Sequence, residues 1–278
     1  MLMHKSNQHF RKGTNHIYKE MRFKIRLKLN RKNGSIIPFN YQHEQSAAIY
    51  KIFSSGDAEY ASWLHKNGFR HQDGKSFKLF NFSRFNFEYR TITDVGIEIL
   101  KEDVTWFINI LPERSTEEFI NGLFSRQNIT IGDKKYKVTF EIVGIEAEPP
   151  LHFTDEMIFQ AESPVCVKLH KDNETKYLPP DSPSFSSAIH KGLIAKYETL
   201  NATTFPYDPN EFEFKLTDNN FRQKLITIKA GTPQETKVRG YTFTFSLKAP
   251  IELMKIAYEG GIGEQCSQGF GFIKEKKK

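Results

Sequence analysis

Gly260-Gly261-Ile262-Gly263-Glu264-Gln265-Cys266-Ser267-Gln268-Gly269-Phe270-Gly271-Phe272 follows an apolar helical stretch, Pro250 to Glu259, and runs directly into an aromatic strand. Glycine reaches positive φ and lets a backbone approach a bulky ligand closely. A run of free backbone N–H groups suits an anionic phosphate chain, and Lys274 with Lys276 to Lys278 places cations beside it. The same cluster also fits a plain awkward turn. Position narrows the choice. A dinucleotide fingerprint lies between a strand and the helix after it, whereas this loop lies between a helix and the strand after it.

The chain upstream shows what that last helix and strand belong to. Met21 to Asn30 alternates Phe23, Ile25, Leu27 and Leu29 with Lys24, Arg26 and Lys28, a strand with one buried and one cationic face. After a turn at Asn33-Gly34 a helical pattern begins at Gln42 and breaks at Ser54-Ser55-Gly56-Asp57. Ala58 to Lys66 reads as a second helix with Tyr60, Trp63 and Leu64 inward. Phe77 to Tyr89 alternates as a strand broken near Ser83-Arg84, and Ile97 to Leu100 and Thr105 to Leu111 are further strands. Ser115 and Glu118 form a capping box that opens a helix through Phe119 and Leu123, and Tyr136 to Ile145 is a strand before Pro149-Pro150. Without the extra hairpins this is β-α-β-β-α-β.

The order recurs after the prolines. Ser163 to Leu169 reads as a strand and Phe185 to Leu200 as a helix. Phe212 to Leu216, Leu225 to Ile228 and Val238 to Leu247 read as strands, then the Pro250 helix and a closing strand from Gly269 to Lys274 follow. No sequence repeat links the halves; the repetition is one of element order. The expected fold class is α+β: two tandem ferredoxin-like (RRM-like) βαββαβ domains, residues 21–148 and 149–278. A polar N-terminal extension, residues 1–20, is expected to be disordered.

Composition agrees with two globular domains at 278 residues. The net charge of +7 is concentrated at the ends: residues 1–20 and 274–278 carry +3 each, which leaves +1 for the body. Any nucleic-acid site must therefore be a local patch and not a global field. Two cysteines, Cys166 and Cys266, make neither a disulfide framework nor a zinc site, and the expected compartment is a reducing cytoplasm. No apolar run approaches membrane-spanning length, so no membrane partner is expected. The sequence lacks a Gly-Lys-Ser/Thr phosphate loop, a His-Glu-x-x-His and a Gly-x-Ser-x-Gly elbow, and no metal or cofactor is expected. An RRM-like sheet stacks bases on exposed aromatics, a role open to Phe80, Phe82, Phe85 or Phe87, although core packing explains them more simply.

At this point a family resemblance becomes specific. The segment Gly261-Ile262-Gly263-Glu264-Gln265-Cys266-Ser267-Gln268-Gly269-Phe270-Gly271-Phe272 resembles the signature loop of the CRISPR-associated endoribonucleases of the Cas-six family. Met21-Arg22-Phe23-Lys24-Ile25-Arg26-Leu27 and Pro38-Phe39-Asn40-Tyr41-Gln42 are similar to that family's opening strand and helix entry. The resemblance covers nearly everything from Met21 to Ile273. It implies tandem ferredoxin-like domains and an enzyme that cuts the repeat RNA of CRISPR precursor transcripts. It also implies a catalytic set of Tyr50, late in the first helix, His65, ending the second, and Lys78, before the next strand. Some relatives place their histidine on the first helix, which makes His43 the second choice.

These residue types suit RNA cleavage by its own 2′-OH, which leaves a 2′,3′-cyclic phosphate and a 5′-OH without any metal. An imidazole with an ordinary pKa of ~6.5 moves protons in either direction near neutrality. Lysine is a compact cation for phosphorane oxygens, whereas tyrosine at ~10 is a poor base and orients better than it abstracts. Without the resemblance, His65 reads as a dipole partner at a helix C-terminus, Tyr50 as core and Lys78 as a solvated charge. The family analogy lays Gly261, Gly263, Gly269 and Gly271 against RNA backbone, with Ser267 and Gln268 able to bond phosphate or base. Charge and position add Lys137, Lys237 and Arg239 as phosphate contacts. The expected partner is precursor repeat RNA; subunits of an interference complex and a second copy of the chain, as a homodimer, stay open. So do two other readings, a silent repeat-binding member and an unrelated tandem RRM-like protein.

Overall fold

The computed structural model describes residues 22–171, 174–206 and 211–276. The expected disordered extension therefore lies outside the described residues. The N-terminal half runs β1 (Arg22–Asn30), β2 (Ile36–Ile37), α1 (Gln42–Gly56), α2 (Ala58–Lys66), β3 (Phe69–Arg70), β4 (Ser76–Phe77), β5 (Phe80–Phe82), β6 (Asn86–Phe87), β7 (Arg90–Ile92), β8 (Ile97–Ile99), β9 (Asp103–Ile110), α3 (Glu113–Phe124), β10 (Asn128–Gly132) and β11 (Lys137–Ala147). Its main sheet is antiparallel in the order β10-β11-β1-β9-β5. The C-terminal half runs β12 (Glu156–Ala161), β13 (Lys168–Lys171), β14 (Glu174–Tyr177), α4 (Pro183–Asn201), β15 (Glu213–Leu216), β16 (Arg222–Ile228), β17 (Thr236–Thr242), β18 (Thr244–Lys248), α5 (Ile251–Gly260) and β19 (Ile273–Glu275). Its sheet order is β15-β18-β12-β19. Stripped of added hairpins, each half has its first and third strands at the centre and its second and fourth at the edges, so the fold is α+β with tandem ferredoxin-like units.

The alternation in β1 does what its pattern dictates. Phe23, Ile25, Leu27 and Leu29 are buried, while Arg26 and Lys28 face out, where Arg26 pairs with Glu146 at 2.8 Å. Phe80, Phe82, Phe85 and Phe87 all lie in the N-terminal core with Trp106 and Phe140, so none is a base-stacking platform. The chain breaks between β5 and β6 at Ser83, whose carbonyl accepts the indole N–H of Trp106 at 3.1 Å.

Several expected elements differ. The first strand of the C-terminal half is β12 and not Ser163 to Leu169. Pro164 has no N–H to give a ladder, and Val165 and Cys166 make only isolated bridges, to Tyr241 and Glu264. The stretch read as Val238 to Leu247 is divided at Phe243 between the β16–β17 ribbon and the main sheet. Ser115 is not an N-cap: α3 starts two residues earlier behind Pro112, and the Ser115 hydroxyl is hydrogen-bonded to the Tyr60 hydroxyl. Trp63 is 40% exposed instead of inward, with its ring against Tyr60 and Phe69. Among the described residues no helix is long and apolar enough to cross a membrane.

The two halves are fastened by Arg22. It is 5% exposed, and its guanidinium donates to Asn109 Oδ1 at 2.9 Å, to the Tyr258 carbonyl at 3.0 Å and to the Ile273 carbonyl at 3.0 Å. It also lies 3.6 Å from the Tyr258 ring centroid and 4.3 Å from that of Phe272. Asn109 completes the fastening by donating to the same Tyr258 carbonyl at 3.0 Å. Arg22→Met removes the three guanidinium bonds and strands the Ile273 carbonyl and Asn109 Oδ1; the expected loss is about 2–4 kcal/mol, read from a denaturant midpoint that falls without a change in slope.

Candidate active site

Helix α1 carries the site because it is amphipathic in two ways. Ile49, Ile52 and Phe53 enter the core, and Gln42, Gln45 and Ser46 form a buried polar edge. Ser46 Oγ donates to the Ser267 carbonyl at 2.7 Å, which ties the glycine loop to the helix. Tyr50 lies four residues further, one turn or about 6 Å along the axis. Its ring meets that of His65 edge-on at 4.9 Å and that of Phe80 at 5.6 Å.

His65 reaches this point because α2 is short and starts with Asp57 capping the Tyr60 N–H at 2.9 Å. Lys78 closes the group: its Nζ donates to the His65 carbonyl at 2.9 Å, as cations do at helix C-termini. The next residue, Leu79, is buried with φ of 53°, a left-handed conformation that costs roughly 1–2 kcal/mol and is held by a bond from Leu111 N–H at 3.0 Å. Burial raises Tyr50 above its ordinary range, so its hydroxyl stays protonated and acts as a donor. Burial lowers Lys78, which brings an ammonium proton closer to release.

The structure thus brings Tyr50 to the His65 ring and Lys78 to the His65 backbone carbonyl. His43 stands two turns earlier on α1, at the glycine-loop end, half-buried, with a buried Nδ1 that has no partner among the described residues. Lys137 begins β11 at the end of the sheet away from Arg22; the register Phe23↔Ala147 and Asn30↔Thr139 separates the two ends by roughly 25 Å. Lys237 and Arg239 are exposed on β17, in the β16–β17 ribbon.

Within the loop the glycines pack more than they face outward. Gly261, Gly269 and Gly271 are buried. A Cβ on Gly261 would lie 2.5 Å from Asn81 Nδ2, and one on Gly271 would lie 2.1 Å from the Ile262 carbonyl oxygen, at a φ of 71°. The expected run of free N–H groups is largely spent internally: those of Ile262, Glu264, Gln268, Gly269 and Gly271 bond to protein carbonyls. Gly263, Ser267 and Gln268 stay partly exposed. Beneath them Lys196, 3% exposed in the middle of α4, donates to the carbonyls of Gly260 at 3.3 Å, Gly261 at 2.5 Å and Gly263 at 3.2 Å. Burial pushes the nearby Cys166 thiol up to about 12, which makes it inert at neutral pH.

A groove that the sequence reading missed lies between the halves, with a volume of ≈ 540 Å³. Arg84, Arg90, Lys224 and Lys274 supply its cations, against the two carboxylates of Glu148 and Glu162, and Phe39 and Phe107 its aromatic surface. The Arg84 Nε is buried with no partner among the described residues. The lining comes from separate elements, so no local pattern announces it; the isolated Arg84 in the Ser83-Arg84 break was its one visible sign.

The family model "CRISPR-associated protein Cas6, N-terminal" matches residues 36–141, and "CRISPR associated protein Cas6, C-terminal" matches residues 146–275. The CRISPR-associated endoribonuclease Cas6 1 of Methanocaldococcus jannaschii is 28% identical over 255 residues, covering 90% of this chain and 91% of that protein. A solved Cas6-related structure from Pyrococcus furiosus superposes with a TM-score of 0.77 at 24% identity, over 93% of this chain and 99% of that one. A structure described as a RAMP protein binding different RNA substrates gives 0.76 at 24% identity, over 92% and 100%. The two family models, which together take in most of the chain, define a CRISPR-associated class of protein. Within it, the chain belongs to the Cas6 family.

The glycines give a paired test. Gly271→Ala is expected to destabilise by roughly 2–4 kcal/mol, through a backbone clash at positive φ. Gly192→Ala, in α4 with open space at its Cβ, is expected to stabilise by about 0.5–1 kcal/mol. Thermal or urea unfolding of the two variants beside the parent reads both signs.

Proposed function

We propose that the chain is an endoribonuclease that cleaves CRISPR repeat RNA in precursor transcripts to give guide RNAs. The observation that carries this reading is the Tyr50 ring against the His65 ring, with the Lys78 ammonium on the His65 carbonyl and Tyr50 one helical turn from the point where Ser46 holds the glycine loop. The nucleophile is supplied by the substrate: a ribose 2′-OH attacks the adjacent phosphate, the 5′-oxygen leaves, and a 2′,3′-cyclic phosphate results. The reaction then needs a proton acceptor, a proton donor and a cation, and no metal.

His65 is exposed at the end of α2 and takes one of the proton transfers. Among the described residues the Lys78 ammonium bonds a carbonyl and no carboxylate, so it turns readily to a phosphorane oxygen. Tyr50, kept protonated by burial, donates a hydrogen bond that orients the reacting ribose or phosphate. In this reading residues 21–148 carry the chemistry and residues 149–278 supply the loop that holds RNA backbone at Gly263, Ser267 and Gln268. The cationic groove between the halves is a path for the rest of the strand, with phosphates on its Arg and Lys side chains and bases on Phe39 and Phe107.

Incubation with repeat RNA from the source genome tests this. The expected products end in a 2′,3′-cyclic phosphate and form equally well in EDTA. His65→Ala is expected to slow cleavage ~10²- to 10⁴-fold while RNA affinity stays within about threefold. Lys78→Ala is expected to cost ~10²-fold or more, and His43→Ala to retain activity. Full activity of His65→Ala would move the assignment to His43. Tight binding by the parent without cleavage would leave a repeat-binding protein.

A further inference from the structure

The chain between His65 and Lys78 is the β3–β4 hairpin, and it rests on the other half of the molecule. Phe77 and Leu79, on either side of Lys78, pack into the C-terminal core. Gly68 is shaped around the lysine: a Cβ there would lie 2.9 Å from Lys78 Cδ and 3.0 Å from its Nζ. The direction of the ammonium therefore depends on where the hairpin sits.

One side chain fixes that seat. His71 Nε2 lies 2.8 Å from Glu198 Oε2 on α4, and His71 Nδ1 lies 2.7 Å from Asp73 Oδ1. Its side chain is 9% exposed. A neutral imidazole has one N–H and can donate to one carboxylate, whereas an imidazolium donates to both. Both carboxylates are themselves held. Glu198 Oε1 accepts the Phe205 N–H at 3.0 Å, and Asp73 takes Lys75 Nζ at 2.9 Å. We propose that His71 is a positioning residue for Lys78: clamped as an imidazolium between Asp73 and Glu198, it seats the hairpin on α4 and so aims the lysine at the scissile phosphate. This rests on the reading of Lys78 as catalytic.

Loss of the ring proton has a defined result. The neutral ring keeps Nε2–H on Glu198, and its Nδ1 exchanges the Asp73 carboxylate for the Asp73 backbone N–H, already 3.3 Å away. The charged groups around the ring are Asp73 and Lys75 on the hairpin and Glu198 on α4, with Arg70 lining the same small cavity. Burial opposes the charge on His71, but the hydrogen bonds to Glu198 and Asp73 outweigh it and raise the group above its ordinary value. The full clamp is thus present below about pH 6.5 and is lost as pH rises through the raised value.

The test is single-turnover cleavage of repeat RNA at saturating enzyme, from pH 6 to 9, for the parent, His71→Asn and Glu198→Gln. Dividing parent by variant rates cancels every pH dependence that the three proteins share. The expected ratio is ~5- to 10-fold at pH 6 and falls towards one at pH 9, with RNA affinity within about twofold throughout. A ratio that is flat across pH, whether large or one, overturns the proposal. Glu198→Gln keeps the shape of the site and carries the test alone if His71→Asn does not fold. A parent that cleaves at no pH would instead remove the endoribonuclease reading, which separates the two failures.

Discussion

The C-terminus of α5 is where the structure is decided. A helix ends in carbonyl oxygens without intrahelical partners and in the negative pole of its dipole, and both favour a cation there. Here two buried cations arrive from opposite sides. Arg22 comes from the first strand of the N-terminal half and takes the Tyr258 carbonyl, while Lys196 comes from α4 and takes those of Gly260, Gly261 and Gly263. Burying either charge alone costs several kcal/mol, and only this density of acceptors offsets the loss of water. Arginine suits position 22 because its planar fork serves Asn109, Tyr258 and Ile273 at once and still stacks on two rings. Lysine suits position 196 because a compact ammonium fits among converging carbonyls.

This end-cap explains why the glycine loop needs both halves of the chain. Its take-off is set by Lys196, its far end by Arg22 against Phe272, and its crest by Ser46 on α1. The candidate site is shared in the same way. Tyr50 and His65 belong to the N-terminal core, while the hairpin that delivers Lys78 leans on the C-terminal core through Phe77 and Leu79. Neither half by itself has both the loop and a fixed lysine. A third cation repeats the device, since Lys78 lies on the last turn of α2.

The fold was readable in the sequence wherever one face of an element meets the core. The alternation of Phe23 to Leu29 and the spacing of Ile49, Ile52 and Phe53 placed β1 and α1 closely, and the break at Ser54 to Asp57 separated α1 from α2. It failed where a run of apolar residues is buried without being in a ladder, as at Val165 to Val167. It failed again where one apolar run serves two sheets, as at Val238 to Leu247. The site was less readable. Tyr50, His65 and Lys78 stood out through family resemblance, because local pattern assigns them to core, helix end and surface. Arg22, His71 and Lys196 gave no signal, since the partners that tie them to the other elements lie between 64 and 251 residues away in sequence; only Asp73, beside His71 in the hairpin, is local. The glycines are plain in the sequence, but their pattern does not separate ligand contact from a loop that folds on itself, which is what most of them serve.

Charge follows the same logic. The body of the chain holds +1, and Arg22 and Lys196 are buried, so the surface of the body has little positive charge to offer in total. Attraction for a polyanion therefore depends on where the remaining cations stand. Arg84, Arg90 and Lys224 of the body, joined by Lys274 of the basic tail, converge on one groove beside the seam that Arg22 closes, where they outnumber the carboxylates of Glu148 and Glu162, and Arg84 leaves a buried Nε unmatched there. Four cations along one path release bound counterions when a phosphate backbone enters, and that gain does not require a basic protein. Elsewhere the described surface of the body mixes both signs, as in the Arg26–Glu146 and Lys101–Glu88 pairs. On the proposed reading, selectivity for a path across the molecule comes from this contrast between groove and surroundings, and the contrast exists because the end-cap of α5 brings the two halves together.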